Sequence, residues 1–178
     1  MIWVTSLGDR HYSELPALRL SLWVEGVTEM VNSNTYLVTA TWKGGRRGEV
    51  AAEDIRPPIH FSTPPEFKGD LGYWTPEHLL LASVASCYVA TFYALAESKL
   101  GFLGLEILVE GTLGKPDGRL QFTSIVLKPT VNIARPEDGE LANRLLARAH
   151  EGCLIARSLA CPVHLEPLVR PAEEVLTP

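Results

Sequence analysis

TPEHLLLASVASCYVATFYALAE, residues 75–97, is the stretch that decides the fold. Thr75 offers a hydroxyl cap, Pro76 suits the first helical position, and Glu77 places a carboxylate at the positive end of a helix. The spacing predicts a helix from about 76 to 99, which at ~1.5 Å per residue is ~34 Å long and must be the central element of its domain. No charged residue falls between Leu79 and Ala96, a run at the lower edge of a membrane span. Ser83, Ser86, Cys87 and Thr91 inside it, acids at both ends and flanks poor in Lys and Arg favour a buried helix instead. Its middle is thin: Ala82, Ser83, Ala85, Ser86 and Ala90 leave room for another backbone to approach Cys87.

On the N-terminal side of the helix, YLVTATW, the turn GGRRG and EVAAEDI read as a hairpin over 35–55, with Arg46 and Arg47 at or near its tip. Residues 56–75 hold four prolines and two glycines and read as a loop. On the C-terminal side, LEILVEGTLG and RLQFTSIVLKPTVNI alternate with period two around KPDG, a second hairpin. Pro136, Glu137, Asp138 and Glu140 open a second helix, whose Leu141, Leu145, Leu146 and Ala149 recur at helical spacing. A short helical piece from Cys153 to Leu159 and a last strand, VHLEPLV, complete a ββαββαβ order. Hairpins segregated from helices in this way imply an α+β fold, not a doubly wound parallel sheet. Residues 1–34 read as an N-terminal arm with one strand-like alternation at Leu18–Leu22, and 35–178 as a single domain.

The chain has 178 residues and a net charge of −5. Without a basic stripe to displace counterions, a nucleic-acid partner is not expected. Its three cysteines are an odd number, and the first residues lack a charged leader followed by an apolar segment, so a reducing cytoplasm is the expected compartment. There a thiol acts as a nucleophile only as thiolate, and one in the apolar middle of a helix needs a cation to ionise. Arg46, on a glycine-flanked turn, is the candidate cation, since a guanidinium stays charged when desolvated. Taken alone, the residues favour Cys87 as a small core residue and Arg46 as a solvated one.

Three segments tip that balance: GGRRG at 44–48, PEHLLLASVASCY at 76–88 and AHEGCLIARSL at 149–159. With the order of elements they make the chain, over about residues 35–170, resemble the family of osmotically inducible protein C and organic hydroperoxide resistance proteins (OsmC/Ohr). The resemblance implies two antiparallel sheet segments around a long central helix, an intertwined homodimer with shared active sites, and thiol-dependent reduction of organic hydroperoxides. It makes Cys87 the peroxidatic and Cys153 the resolving cysteine, Arg46 the arginine after the paired glycines, and Glu77 the acid of the Pro-Glu pair. It implies an external dithiol of the dihydrolipoyl type as reductant, with no cofactor and no metal in the site. The chain departs from the family at Leu154, where members often carry Pro, and it adds Cys161, a rival thiol.

Glu77 and Cys87 stand ten positions apart, some 15 Å along a straight helix and on different faces. If both act in one site, Cys87 of one chain is expected to meet Arg46 and Glu77 of the other. Tyr73, Trp74, Phe92 and Phe102 are candidates to line an apolar pocket, and Arg47 replaces Arg46 if the hairpin slips by one. Two other readings compete. His150, Cys153, Cys161 and His164 form two His/Cys pairs that would make a structural zinc site, and the scaffold could serve as a binding module without turnover.

Overall fold

The computed structural model describes residues 34–172. The alternation at 18–22, and all but the last residue of the expected arm, lie outside the described residues. Three strands come first, β1 (Thr39–Gly44), β2 (Arg47–Ala51) and β3 (Ile59–Ser62), paired antiparallel in that order. Gly44 and Gly45 take φ of +106° and +56° at the β1–β2 turn, conformations a side chain resists. Gly48 has a different reason to lack a side chain, since a Cβ there would stand 2.5 Å from the Phe61 ring.

Helix α1 spans Pro76–Ala96, and the Thr75 hydroxyl accepts a hydrogen bond from the His78 amide at 3.3 Å as its cap. It stops short of the expected 99 because the Lys99 and Leu100 amides both turn back to the Ala96 carbonyl at 2.9 Å, leading into Gly101 and the next strand. By length and apolar composition α1 is able to cross a membrane. Within the domain, Val84, Tyr88, Phe92 and Ala96, four residues apart and all fully buried, form one stripe. The opposite face stays open, with Tyr93 56% exposed.

The long hairpin pairs β4 (Phe102–Gly114) with β5 (Gln121–Ile133) around a turn closed by Gly118 at φ +76°. A single 3₁₀ turn, Pro136–Asp138, then leads into α2 (Gly139–Gly152). Arg135 clasps Asp138 with two bonds of 2.9 Å across that turn. A one-turn helix α3 (Leu154–Arg157) follows, and then β6 (Val163–Leu165) and β7 (Leu168–Pro171). Ile125, Leu127, Val131 and Ile133 of β5 meet the α1 stripe and Ala142, Leu145, Leu146 and Ala149 of α2 in one core.

Two expectations change in detail. The loop over 56–75 contains β3 and a 3₁₀ turn at Pro65–Phe67. The last strand is two, both running parallel to β5, so the four-stranded sheet is mixed. Pro167 separates them, lacking the N–H a continuous strand would donate. They pair with β5 on either side of Pro129, β6 through Ile125–Leu127 and β7 through Thr130–Ile133.

The Tyr88 hydroxyl donates to the Leu146 carbonyl at 3.0 Å, joining α1 to α2 inside the core. Tyr88→Phe is expected to cost about 1 kcal/mol and Phe92→Ala about 3–5 kcal/mol. Both losses would be read as lowered urea midpoints at unchanged slope.

Candidate active site

Cys87 sits half-buried in the middle of α1, and Cys153 is fully buried at the joint between α2 and α3. At Cys153 the backbone leaves helical geometry (φ −68°, ψ 103°), so α2 ends and α3 starts afresh. The first amides of any helix lack an acceptor within it. Here those of Leu154 and Ile155 are directed at the Cys87 sulfur. The Cys153 thiol lies between α1 and this joint, 4.0 Å from the Val84 carbonyl and in hydrogen-bonding reach of Cys87. The thin stretch of α1 thus admits the α2–α3 joint of the same chain.

The two thiols are driven in opposite directions. Burial pushes Cys87 up, but the Ile155 amide, the Cys153 thiol, the Thr91 hydroxyl and the Leu154 amide together hold it below its ordinary 9.0. Burial pushes Cys153 up to about 11, and the neighbouring Cys87 adds to this, against the lowering effect of the Ala156 and Ile155 amides. Burial likewise raises Tyr88, with the Cys153 charge adding to it. Cys87 therefore ionises more readily than the neighbouring thiol, which burial holds protonated.

Arg46 and Glu77 are not among the groups acting on Cys87 within the chain. Arg46 is exposed on the β1–β2 turn, where its carbonyl accepts from the Thr63 amide at 3.2 Å. Its neighbour Arg47 is already engaged: Nε donates to Asp70 at 2.7 Å, and the guanidinium lies 5.0 Å over the Tyr73 ring. Of the two arginines of the turn, Arg46 is the one with no side-chain hydrogen bond or ion pair among the described residues. Glu77 lies in the first turn of α1, and its Oε2 is buried with no hydrogen-bond partner among the described residues. Because α1 is continuous from Pro76 to Ala96, Glu77 stays ~15 Å from Cys87 along it.

Of the four aromatic candidates, Phe92 is core, stacked edge-to-face on Phe102 at 5.5 Å. Tyr73 and Trp74 remain at the surface; Tyr73 borders a cavity of about 430 Å³ with Lys43, Arg47, Gly48, Glu49 and His60. Cys161 is half-buried near His150 and Arg157, bordering a cavity of about 240 Å³. Among the described residues no group of three or more His, Cys, Asp or Glu is gathered for a metal ion, so the two His/Cys pairs do not assemble a zinc site. Thr91 and the two α3 amides escaped sequence reading. The signal available for them was Gly152 before Cys153, a helix stop that frees new amides, and a hydroxyl one turn after Cys87.

A mixed α+β domain with two unequal thiols, one on its central helix and one at the joint packed against it, is the class that fold and site define. The chain belongs to the OsmC-like protein family, whose pattern matches residues 68–167. A curated relative, the uncharacterized protein YmaD of Bacillus subtilis, is 29% identical over 141 residues, 77% of this chain and 93% of the relative. An OsmC-like protein of unknown function from Vibrio cholerae superposes with a TM-score of 0.69 at 22% identity, covering 76% of this chain and all of its own (100%). The organic hydroperoxide resistance protein OhrB of Bacillus subtilis superposes with a TM-score of 0.54 at 25% identity, over 77% of this chain and 98% of its own.

The thiol asymmetry has a direct readout. A thiol whose midpoint is lowered gains reactivity first as pH rises, so Cys87 is expected to alkylate with a midpoint below 9.0. Cys153 is expected to resist until the pH nears 11. Iodoacetamide labelling stepped in pH, quantified peptide by peptide, checks both.

Proposed function

We propose that this protein is a thiol-dependent peroxidase that reduces organic hydroperoxides to alcohols. The observation that carries the reading is the placement of Cys153 against α1 within reach of Cys87, where the surrounding amides favour ionisation of Cys87 and burial opposes that of Cys153. Kinship with the OsmC-like family and the fold shared with an organic hydroperoxide resistance protein support the same reaction class.

In the first step the Cys87 thiolate attacks the distal oxygen of the hydroperoxide. The O–O bond breaks, the alkoxide takes up a proton and leaves as alcohol, and Cys87 becomes a sulfenic acid. In the second, the Cys153 sulfur attacks the Cys87 sulfenic sulfur, water leaves, and a Cys87–Cys153 disulfide forms. An external dithiol then returns both thiols by exchange and is itself oxidised to a disulfide. By family resemblance that dithiol is of the dihydrolipoyl type. The preformed contact between the thiols supports Cys153 as resolver over Cys161.

Catalysis further needs a cation near the oxygen that develops charge, and Arg46 is proposed to supply it from a second copy of the chain, oriented by Glu77 of that copy. The unpartnered Oε2 of Glu77 and the open face of α1 support such a homodimer. A reducing, cytoplasmic setting fits a cycle that returns both cysteines to thiols.

Cumene hydroperoxide consumption with a dithiol is expected for the wild type and lost in Cys87→Ser; an unchanged rate in that variant would remove Cys87 from the chemistry. One equivalent of peroxide should crosslink Cys87 to Cys153, whereas a Cys87–Cys161 crosslink would assign resolution to the other thiol. For the shared site, Cys87→Ser and Arg46→Ala chains are each expected to be inactive alone. Unfolded and refolded together, they should regain about a quarter of wild-type activity, since half the dimers are mixed and each holds one intact site. No regain would place Arg46 and Cys87 of one site in the same chain.

A further inference from the structure

We propose that Thr91 is a positioning residue for the redox thiol, a hydroxyl fixed one helical turn beyond Cys87 that moves its hydrogen bond from the Cys87 carbonyl to the Cys87 sulfur when the thiol ionises. In the structure Thr91 Oγ1 donates to the Cys87 carbonyl at 2.8 Å. A threonine bonding back to the residue four positions before it is common in helices and by itself implies nothing. Two further features set this one apart.

The first is that the same hydroxyl also lies in reach of the Cys87 sulfur, where it favours the charged form. A hydroxyl has a single proton to donate. While the sulfur is protonated, the carbonyl is the better acceptor; once it carries a charge, the charge-assisted bond to sulfur is the stronger one. The carbonyl loses little by the exchange, because at this position in α1 it keeps its helical amide partner, Thr91 N.

The second feature is the Thr91 methyl. It faces Gly152, where an added Cβ would come within 3.2 Å of Thr91 Cγ2. Gly152 is the last residue of α2 and precedes Cys153. One side chain therefore joins both halves of the centre: the hydroxyl addresses Cys87, and the methyl rests against the backbone that delivers Cys153. With the methyl seated there, χ1 has little freedom, so the hydroxyl that bonds the Cys87 carbonyl stays beside Cys87. A β-branched side chain, stiff at χ1, is suited to that task where serine would wander.

The rate consequence rests on Cys87 being the peroxidatic thiol, but the titration consequence does not. Labelling of Cys87 with iodoacetamide across pH, in the full chain, is the test. Thr91→Val keeps shape and methyls and removes the hydroxyl; its Cys87 midpoint is expected to rise by about one pH unit. Thr91→Ser, with the hydroxyl but without the methyl that fixes it, is expected to restore part of that shift. The Cys153 midpoint near 11 should hold in both variants. A loosened helix pair would instead expose Cys153 and bring its midpoint down, which would make Thr91 a packing residue and overturn the proposal. So would a Thr91→Val midpoint equal to wild type, or a Thr91→Ser midpoint no lower than that of Thr91→Val. In peroxide assays below the midpoint, Thr91→Val is expected to be about tenfold slower and to converge on wild type above it. A wild type inert to hydroperoxide, with the Thr91→Val shift present, would remove the peroxidase reading and keep the role of Thr91.

Discussion

A fully buried thiol at the end of a helix has to be met by something, and Cys153 is met by the backbone of α1 at the Val84 carbonyl and by Cys87 one turn later. That seat dictates how the α2–α3 joint lies on the central helix, and much else follows from it. α1 must be thin there, which explains alanine and serine where a core helix would ordinarily carry larger side chains. α2 must end at Gly152, so that a new helix turns its free amides toward the sulfur. Val84, Tyr88 and Phe92 of α1 form one stripe that meets β5 and α2. Core packing and the two thiols thus adjoin on one helix, with Cys153 itself part of the core.

How much of this could be read from residues alone depended on whether the feature has a side-chain signature. The start of α1 is written in Thr75, Pro76 and Glu77, and the β4–β5 hairpin in period-two alternation around KPDG; both appear as read. β3 was not legible, because four residues between Pro57-Pro58 and Pro64-Pro65 are too few to show a period. Nor was the direction of β6 and β7, since alternation is the same in parallel and antiparallel strands. The meeting of Cys87 and Cys153 came from family resemblance, as no spacing rule brings together residues on different helices. The amides of Leu154 and Ile155 were invisible for a simpler reason: every residue except proline has one.

The β1–β3 sheet makes most of its contacts within itself, while α1, α2 and the β4–β7 sheet share the core. The turn bearing Arg46 therefore belongs to a separate layer from Cys87. Arg47, tied to Asp70 and lying on Tyr73, fastens the segment leading into α1 to that layer. Ser62 helps at the same place, its amide donating to the Trp74 carbonyl at 2.9 Å and its hydroxyl accepting from the Asp70 amide at 3.0 Å. The first turn of α1, with Glu77, is held to the Arg46 layer, whereas the middle of the same helix, with Cys87, is held to the core. The proposed site, drawing on the first turn and the middle of α1, is naturally built from two copies of the helix.

The unequal acidity of the thiols bears on the way back as much as on the way out. In a disulfide between them, Cys87 would be the better leaving group, so an incoming thiolate is steered electronically toward the Cys153 sulfur. Cys153 is the one buried between α1 and the α2–α3 joint. The accessible sulfur would thus be the slow one to attack and the fast one would be hidden. An oxidised form of this centre would resist casual reduction by small thiols and favour a reductant able to reach between α1 and the α2–α3 joint.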